Sequence, residues 1–198
     1  MSDHSSEYAN SAVIVWDMQY GIAERALKYD EIVANIKSLI DAAHEAGNPV
    51  IYSQQTGLPY EYMTRYQTRV IQKRGIDPRK QRFMVEGTHD WEIVDRLAPQ
   101  EQDIVIKKHT PSFFIGTYLD QLLRARNIDS IVVVGVRTEI GVEATARHGA
   151  YLGYLPIVVE DAVGSYDEET HEASLIVMKK MFEVKSTSEV LAILKSGA

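Results

Sequence analysis

Apolar residues along the chain fall into two kinds of run. Six are short and strand-like, most of them nearly continuous: Ala12–Asp17, Pro49–Ser53, Asp103–Lys107, Ser130–Val134, Leu155–Val159 and Glu183–Ser186. The stretches between them follow a helical period. Ile32, Ile36, Leu39 and Ile40 mark one such face, and Gly47-Asn48-Pro49 supplies its stop. The same reading puts helices over 116–126, 142–152, 168–181 and 188–194. Strands alternating with helices predict an α/β fold, a doubly wound three-layer sandwich whose six-stranded, mostly parallel sheet carries helices on both faces. No internal repeat, low-complexity stretch or linker interrupts the chain between Ser11 and Lys195. One domain over 11–198 is expected, behind a flexible polar tail over 1–10.

The segment from Gln54 to Gly87 breaks the alternation. It is too long for a plain connection, and it carries Tyr60, Tyr62, Tyr66, Phe83, Arg65, Arg69 and Arg82. Loops beyond about 15 residues in compact domains are usually functional or disordered. Two readings stay open: a mobile surface excursion or oligomer contact, since aromatics and Arg favour interfaces, or a pocket wall or lid.

Charge and composition narrow the function class. The 198 residues include 21 basic and 28 acidic side chains, a net charge of −7, with no basic run longer than two, so nucleic acid and anionic membranes are poor partners. Apolar runs such as Ile131–Val134 are far too short to span a bilayer, and the polar start lacks a signal peptide's apolar stretch. A cytoplasmic location is therefore expected. The chain has no cysteine, which removes disulfides, thiolate metal sites and thiol catalysis. Its six histidines, at 4, 44, 89, 109, 148 and 171, form no short-spaced pair, so no metal is expected. No glycine-rich phosphate motif follows the first strand, so no nucleotide cofactor is expected either.

In doubly wound sheets, ligands bind beyond the carboxyl ends of the strands. Asp17, Lys108 and the turn over 137–141 all fall at such ends. Asp17 closes an apolar strand, where desolvation would raise its pKa and a nearby ammonium would lower it. The three segments also carry motifs. Val15-Trp16-Asp17-Met18-Gln19, Ile106-Lys107-Lys108-His109-Thr110-Pro111-Ser112-Phe113-Phe114 and Gly135-Val136-Arg137-Thr138-Glu139-Ile140-Gly141-Val142-Glu143-Ala144-Thr145-Ala146-Arg147 lie in that order. Together they resemble the isochorismatase-like hydrolases, in which a strand ends in a catalytic aspartate, a lysine opens a K-x-x-x-S-x-F segment, and a nucleophile turn reads G-V-x-T-x-x-C-V-x-x-T-A-R. The resemblance covers roughly residues 11 to 195.

What the resemblance implies turns on residue 141, where this chain has glycine at the position of the family's cysteine. In cysteine members the aspartate takes the thiol proton, the lysine holds the ion-pair arrangement, and backbone N–H groups receive the oxyanion at a turn containing a cis peptide. Carried over, the catalytic positions would be Asp17, Lys108 and Gly141. The oxyanion donors would be the N–H groups of Arg137 and Gly141, with the unusual bond at Val136–Arg137. Gln54, Tyr60, Phe114 and Arg137 are candidate substrate contacts, and His109 could border the pocket. Isochorismatases proper keep the aspartate and lysine but have glycine at this position and hydrolyse a vinyl ether, a reaction that needs a general acid. Asp17 would be that acid. The residues after Gly141 look more like the amidase branch, related to N-carbamoylsarcosine amidase and nicotinamidase, so an amidase-type member with its cysteine replaced stays open. So does a non-catalytic ligand-binding protein. The resemblance also implies a homo-oligomer. Asp17, Lys108 and the Gly141 N–H are expected to converge on one pocket, and a cysteine placed at 141 is expected to be reactive.

Overall fold

Each of the six apolar runs forms a strand. In the computed structural model, which describes Tyr8 and residues 10–196, these are β1 (Ser11–Trp16), β2 (Val50–Gln55), β3 (Ile104–Lys108), β4 (Ser130–Val136), β5 (Leu155–Gly164) and β6 (Glu183–Lys185). Apart from Tyr8 and Asn10, the tail expected over 1–10 lies outside the described residues. The strands order as β3-β2-β1-β4-β5-β6, and every neighbouring pair is parallel. β1 thus lies between β2 and β4, and the order reverses beside it. Such a reversal opens a crevice at the carboxyl ends of the two strands, where ligands bind in sheets of this kind.

The described residues form seven α-helices: α1 (Tyr20–Ala23), α2 (Tyr29–Glu45), α3 (Arg65–Lys73), α4 (Leu119–Ala125), α5 (Glu143–Leu152), α6 (Glu168–Met178) and α7 (Thr187–Ser196). The central strands read as continuous apolar runs because both their faces are covered. Val13, Val15, Val132 and Val134 pack against Ile36 and Leu39 of α2 and Val190 of α7. Ile14, Trp16, Val133 and Val158 pack against Leu119 and Leu123 of α4, Ala146 of α5 and Met178 of α6. Burying each such Val, Leu or Met side chain contributes roughly 1.5–3 kcal/mol.

The differences from the expected boundaries have local causes. α4 starts at Leu119 rather than 116 because Gly116 sits at φ +74, outside the helical region. β4 continues past the expected stop at Val134 because Gly135, at φ +116, lets the strand run on through a register shift against β5. α6 ends at Met178, three residues early. Within the long segment after β2, α3 is a helix not among the expected elements, although Tyr66, Val70 and Ile71 recur at helical spacing. It begins with a capping box in which the Thr64 hydroxyl accepts from the Gln67 N–H at 3.2 Å and the Gln67 side chain accepts from the Thr64 N–H at 2.8 Å.

Candidate active site

Strand parity selects the side chains that meet at the crevice. Successive residues of a strand face opposite sides, and Gln55 is the register partner of Lys108, as Ser53 is of Trp16. Ile51 and Ile106 point into the core that contains Trp16. Ser53, Gln55 and Lys108, at even offsets from them, therefore share that face. Lys107 points the other way and pairs with Glu86 at 2.6 Å.

Asp17 and Lys108, 91 residues apart in sequence, form a buried ion pair with Nζ–Oδ2 2.7 Å. Asp17 is held in the left-handed region at φ +43, a conformation that costs about 1–3 kcal/mol outside glycine and occurs at sites the surrounding structure over-determines. Ser53 supplies much of that determination: its hydroxyl accepts from the Asp17 N–H at 3.0 Å and donates to Oδ1 at 2.6 Å. Lys108 is 1% exposed. Its ammonium also donates to Gln55 Oε1 at 2.7 Å and lies 3.9 Å from the centre of the Trp16 ring. An ammonium has three protons; one carboxylate, one amide oxygen and one π face surround this one. Burial pushes the Asp17 carboxyl upward, against the opposing pull of the Lys108 ammonium and the Ser53 hydroxyl. Burial likewise pushes Lys108 downward, opposed by Asp17.

Gln19 braces this arrangement from the side. Its amide donates to the Gln55 and Trp91 carbonyls at 3.0 and 2.7 Å, and its oxygen accepts from the Gln55 N–H at 2.8 Å.

Beyond β4, the Val136–Arg137 peptide is cis, and a π-helical turn over Thr138–Val142 leads directly into α5. The N–H groups of Ile140, Gly141 and Val142 all converge on the Arg137 carbonyl, at 3.3, 3.1 and 3.2 Å. The Gly141 donor is therefore occupied by the chain's own turn rather than presented to the pocket. Arg137 Nε donates to Glu139 Oε1 at 2.8 Å, and its guanidinium stacks on Tyr166 at 4.5 Å from the ring centre. Arg25 stacks on the same ring at 4.6 Å.

These groups line one cleft of about 1310 Å³, which contains Asp17, Lys108, Arg137, Gly141 and Tyr166. The segment after β2 builds much of its wall, including Tyr60, Tyr66, Arg79 and Phe83. His109 also borders it, with Nδ1 2.8 Å from the Thr56 carbonyl. A smaller cleft of about 210 Å³ lies over Glu31, Glu160 and Glu172. No group of three or more His, Asp or Glu side chains among the described residues is arranged to hold a metal ion. No described helix is long and apolar enough to cross a membrane.

Residues 11–190 match the isochorismatase domain. The chain belongs to the isochorismatase family. It is similar to the ureidoacrylate amidohydrolase RutB of Acinetobacter baylyi, at 34% identity over 165 residues, covering 78% of this chain and 67% of that protein. Among solved structures, it resembles a cysteine hydrolase from Pseudomonas syringae pv. phaseolicola, with a TM-score of 0.83 and 29% identity over 96% of this chain and 94% of the other. It also resembles N-carbamoylsarcosine amidase from Thermoplasma acidophilum, with a TM-score of 0.72 and 29% identity over 90% and 96% of the two chains. The family and these relatives identify the protein as an isochorismatase-like hydrolase.

Against this isochorismatase frame, the candidate residues divide. Asp17, Lys108, Val136, Arg137, Gly141 and Tyr60 line the cleft. Gln54 and Phe114, read as substrate contacts, do not. The Gln54 amide donates to the Trp91 carbonyl at 3.2 Å, because β2 runs two residues past its expected end and parity gives the crevice to Gln55. Phe114 is buried in the core, stacked on Tyr154 at 5.8 Å. Sequence reasoning missed Ser53, Gln55, Trp16, Arg25 and Tyr166 as cleft or support residues. For the first two, strand parity counted back from Lys108 was an available signal.

Proposed function

We propose that this isochorismatase-like hydrolase cleaves a small anionic substrate without a nucleophilic thiol, with Asp17 as the general acid or base. The observation that carries the reading is the buried Asp17–Lys108 pair at the floor of a large cleft in a chain that has no cysteine. The resemblance aligns Gly141 with the family's nucleophile, and glycine offers no side chain to attack. A reaction that begins with protonation suits such a site. In a vinyl ether bearing a carboxylate, Asp17 would deliver its proton to the enol carbon, and water would capture the resulting oxocarbenium ion. One proton of that water returns to the Asp17 carboxylate, giving a neutral hemiketal; the hemiketal's hydroxyl proton then passes through solvent to the departing oxygen as the carbon–oxygen bond breaks, releasing the ketone and the alcohol. Burial favours the protonated acid that this first step requires. An anionic substrate is supported by the lining: Arg25, Arg74, Arg79, Arg82 and Arg137 border the cleft of a chain whose net charge is −7.

The relatives favour a second reading. One of them is named as a ureidoacrylate amidohydrolase, so a ureido or amide acid is the competing substrate class. Without a thiol, Asp17 would then act as a base on water that attacks the carbonyl. Purified protein incubated with carboxylate-bearing vinyl ethers and with ureido acids, assayed by product chromatography from pH 5 to 9, separates these readings. Activity that falls with pH on vinyl ethers supports the acid role; activity that rises with pH on ureido acids supports the base role. Ligand-induced thermal stabilisation without turnover of either class would overturn both and leave a binding protein.

A further inference from the structure

Trp16 and Gly141 fit each other too closely to be independent. A Cβ built on Gly141 would lie 1.9 Å from Trp16 Cε2, 2.0 Å from Nε1 and 2.1 Å from Cζ2. These separations lie well inside van der Waals contact. Gly141 does not have a positive φ, so backbone conformation gives no reason for glycine there. The indole gives the reason: it occupies the volume into which a side chain at 141 would project. Trp16 is itself fixed by an edge-on contact with Phe113 at 6.0 Å and is 2% exposed. Its ring face is the third partner of the Lys108 ammonium, which Asp17 and Gln55 engage from other directions.

We propose that Trp16 is a positioning residue that shields the Lys108 ammonium from the cleft, leaves Asp17 facing it, and restricts position 141 to glycine. This assignment deepens the cysteine-free reading above and rests on it for its catalytic meaning. Lys108 then has no free proton to offer a substrate; it acts by holding Asp17. The indole, standing where a nucleophile's side chain would stand, leaves Asp17 as the group that addresses the ligand. A thiol cannot be restored by changing residue 141 alone, because the ring already fills its place.

The test needs no substrate, so its failure is distinct from a failed turnover search. Acetic anhydride labelling of the native protein, read by peptide mass spectrometry, compares Lys108 with its neighbour Lys107. A lysine whose pKa is lowered reacts faster when accessible, so slow labelling of Lys108 reports closure rather than protonation. Lys108 is expected to label at least about tenfold more slowly than Lys107 in the parent. Trp16→Ala should remove that protection, and Trp16→Phe, which keeps a ring face, should restore most of it. In parallel, Gly141→Cys alone should lose thermal stability or carry a thiol that iodoacetamide does not reach. The same cysteine in a Trp16→Ala background should be alkylated. Equal labelling of Lys107 and Lys108 in the parent overturns the proposal. So does a Gly141→Cys single variant that keeps the parent's melting temperature and alkylates as fast as the same variant unfolded in urea. Both measurements remain decisive if Trp16→Ala does not fold.

Discussion

The Asp17–Lys108 pair makes a thermodynamic prediction whose size follows from its burial. Both groups are buried, 2.7 Å apart, and removing either leaves the other charge without its counterpart. The cost is bounded, because the survivor can become neutral. For Lys108 in an Asp17→Asn variant, giving up its proton at pH 7 from the ordinary value of 10.5 costs at most about 4.8 kcal/mol, at about 1.36 kcal/mol per pH unit. For Asp17 in Lys108→Met, taking up a proton from 3.8 costs at most about 4.4 kcal/mol. Both limits fall near the roughly 3–5 kcal/mol that broken buried pairs cost. The double variant contains no orphaned charge and should be less destabilised than the sum of the singles by at least about 2 kcal/mol. Urea denaturation followed by far-ultraviolet circular dichroism measures all four corners of this cycle.

The pH dependence of the two single variants has opposite signs. In Lys108→Met, the folded Asp17 holds its proton above 3.8 while the unfolded chain releases it, so stability falls as pH rises through that window. In Asp17→Asn, Lys108 releases its proton below 10.5 when folded, so stability rises with pH towards that value. Additive single losses, losses below about 1 kcal/mol, or flat pH profiles would refute the reasoning.

Other consequences can be checked singly. Asp17→Asn should lower turnover about 10²- to 10⁴-fold while leaving ligand affinity near that of the parent; near-native turnover in a folded variant would remove Asp17 from the chemistry. Gly135→Ala should be far more damaging than Gly153→Ala, by at least about 2 kcal/mol in urea titrations. Both glycines have positive φ, but a Cβ at 135 would meet the Trp16 carbonyl oxygen at 2.1 Å, whereas nothing lies within 4 Å of one at 153. Thr64→Ala should cost α3 its cap, about 1 kcal/mol locally. Because α3 buries no residue, hydrogen exchange over 65–73 should accelerate while the global unfolding midpoint stays unchanged.

The sheet was legible because burial on both faces writes the central strands β1 and β4 as nearly unbroken apolar runs, and the ends of the β1 and β3 runs put Asp17 and Lys108 at the crevice. Choosing Lys108 over Lys107 needed a motif in addition to the run. Its physical basis is parity: only alternate residues of β3 face the core of Ile106 and Trp16. The same parity defeated the choice of Gln54, since the expected end of β2 at Ser53 left the next two residues without an assigned face. α3 escaped notice because its short apolar stripe, Tyr66, Val70 and Ile71, faces the cleft and buries no residue in the core; Thr64 and Gln67, three apart, also announced it. Trp16 is the most instructive omission. It read as one more apolar residue of β1, and nothing local links it to a glycine 125 positions later. That link exists only once β1 and β4 lie side by side.

The strand order also bears on how the chain acquires its fold during synthesis. β1 and β2 emerge early, but the other neighbour of β1 is β4, which starts some 75 residues after β2 ends. At about 5–20 residues per second, a ribosome needs roughly 4–15 s to make that interval. Throughout it, one edge of a strand that is buried along its whole length in the finished sheet has no native partner, and unpaired apolar edges are templates for misassociation. The nascent chain should therefore depend on chaperones during that interval, and slowing translation between residues 56 and 130 should lower the soluble yield without altering the finished protein.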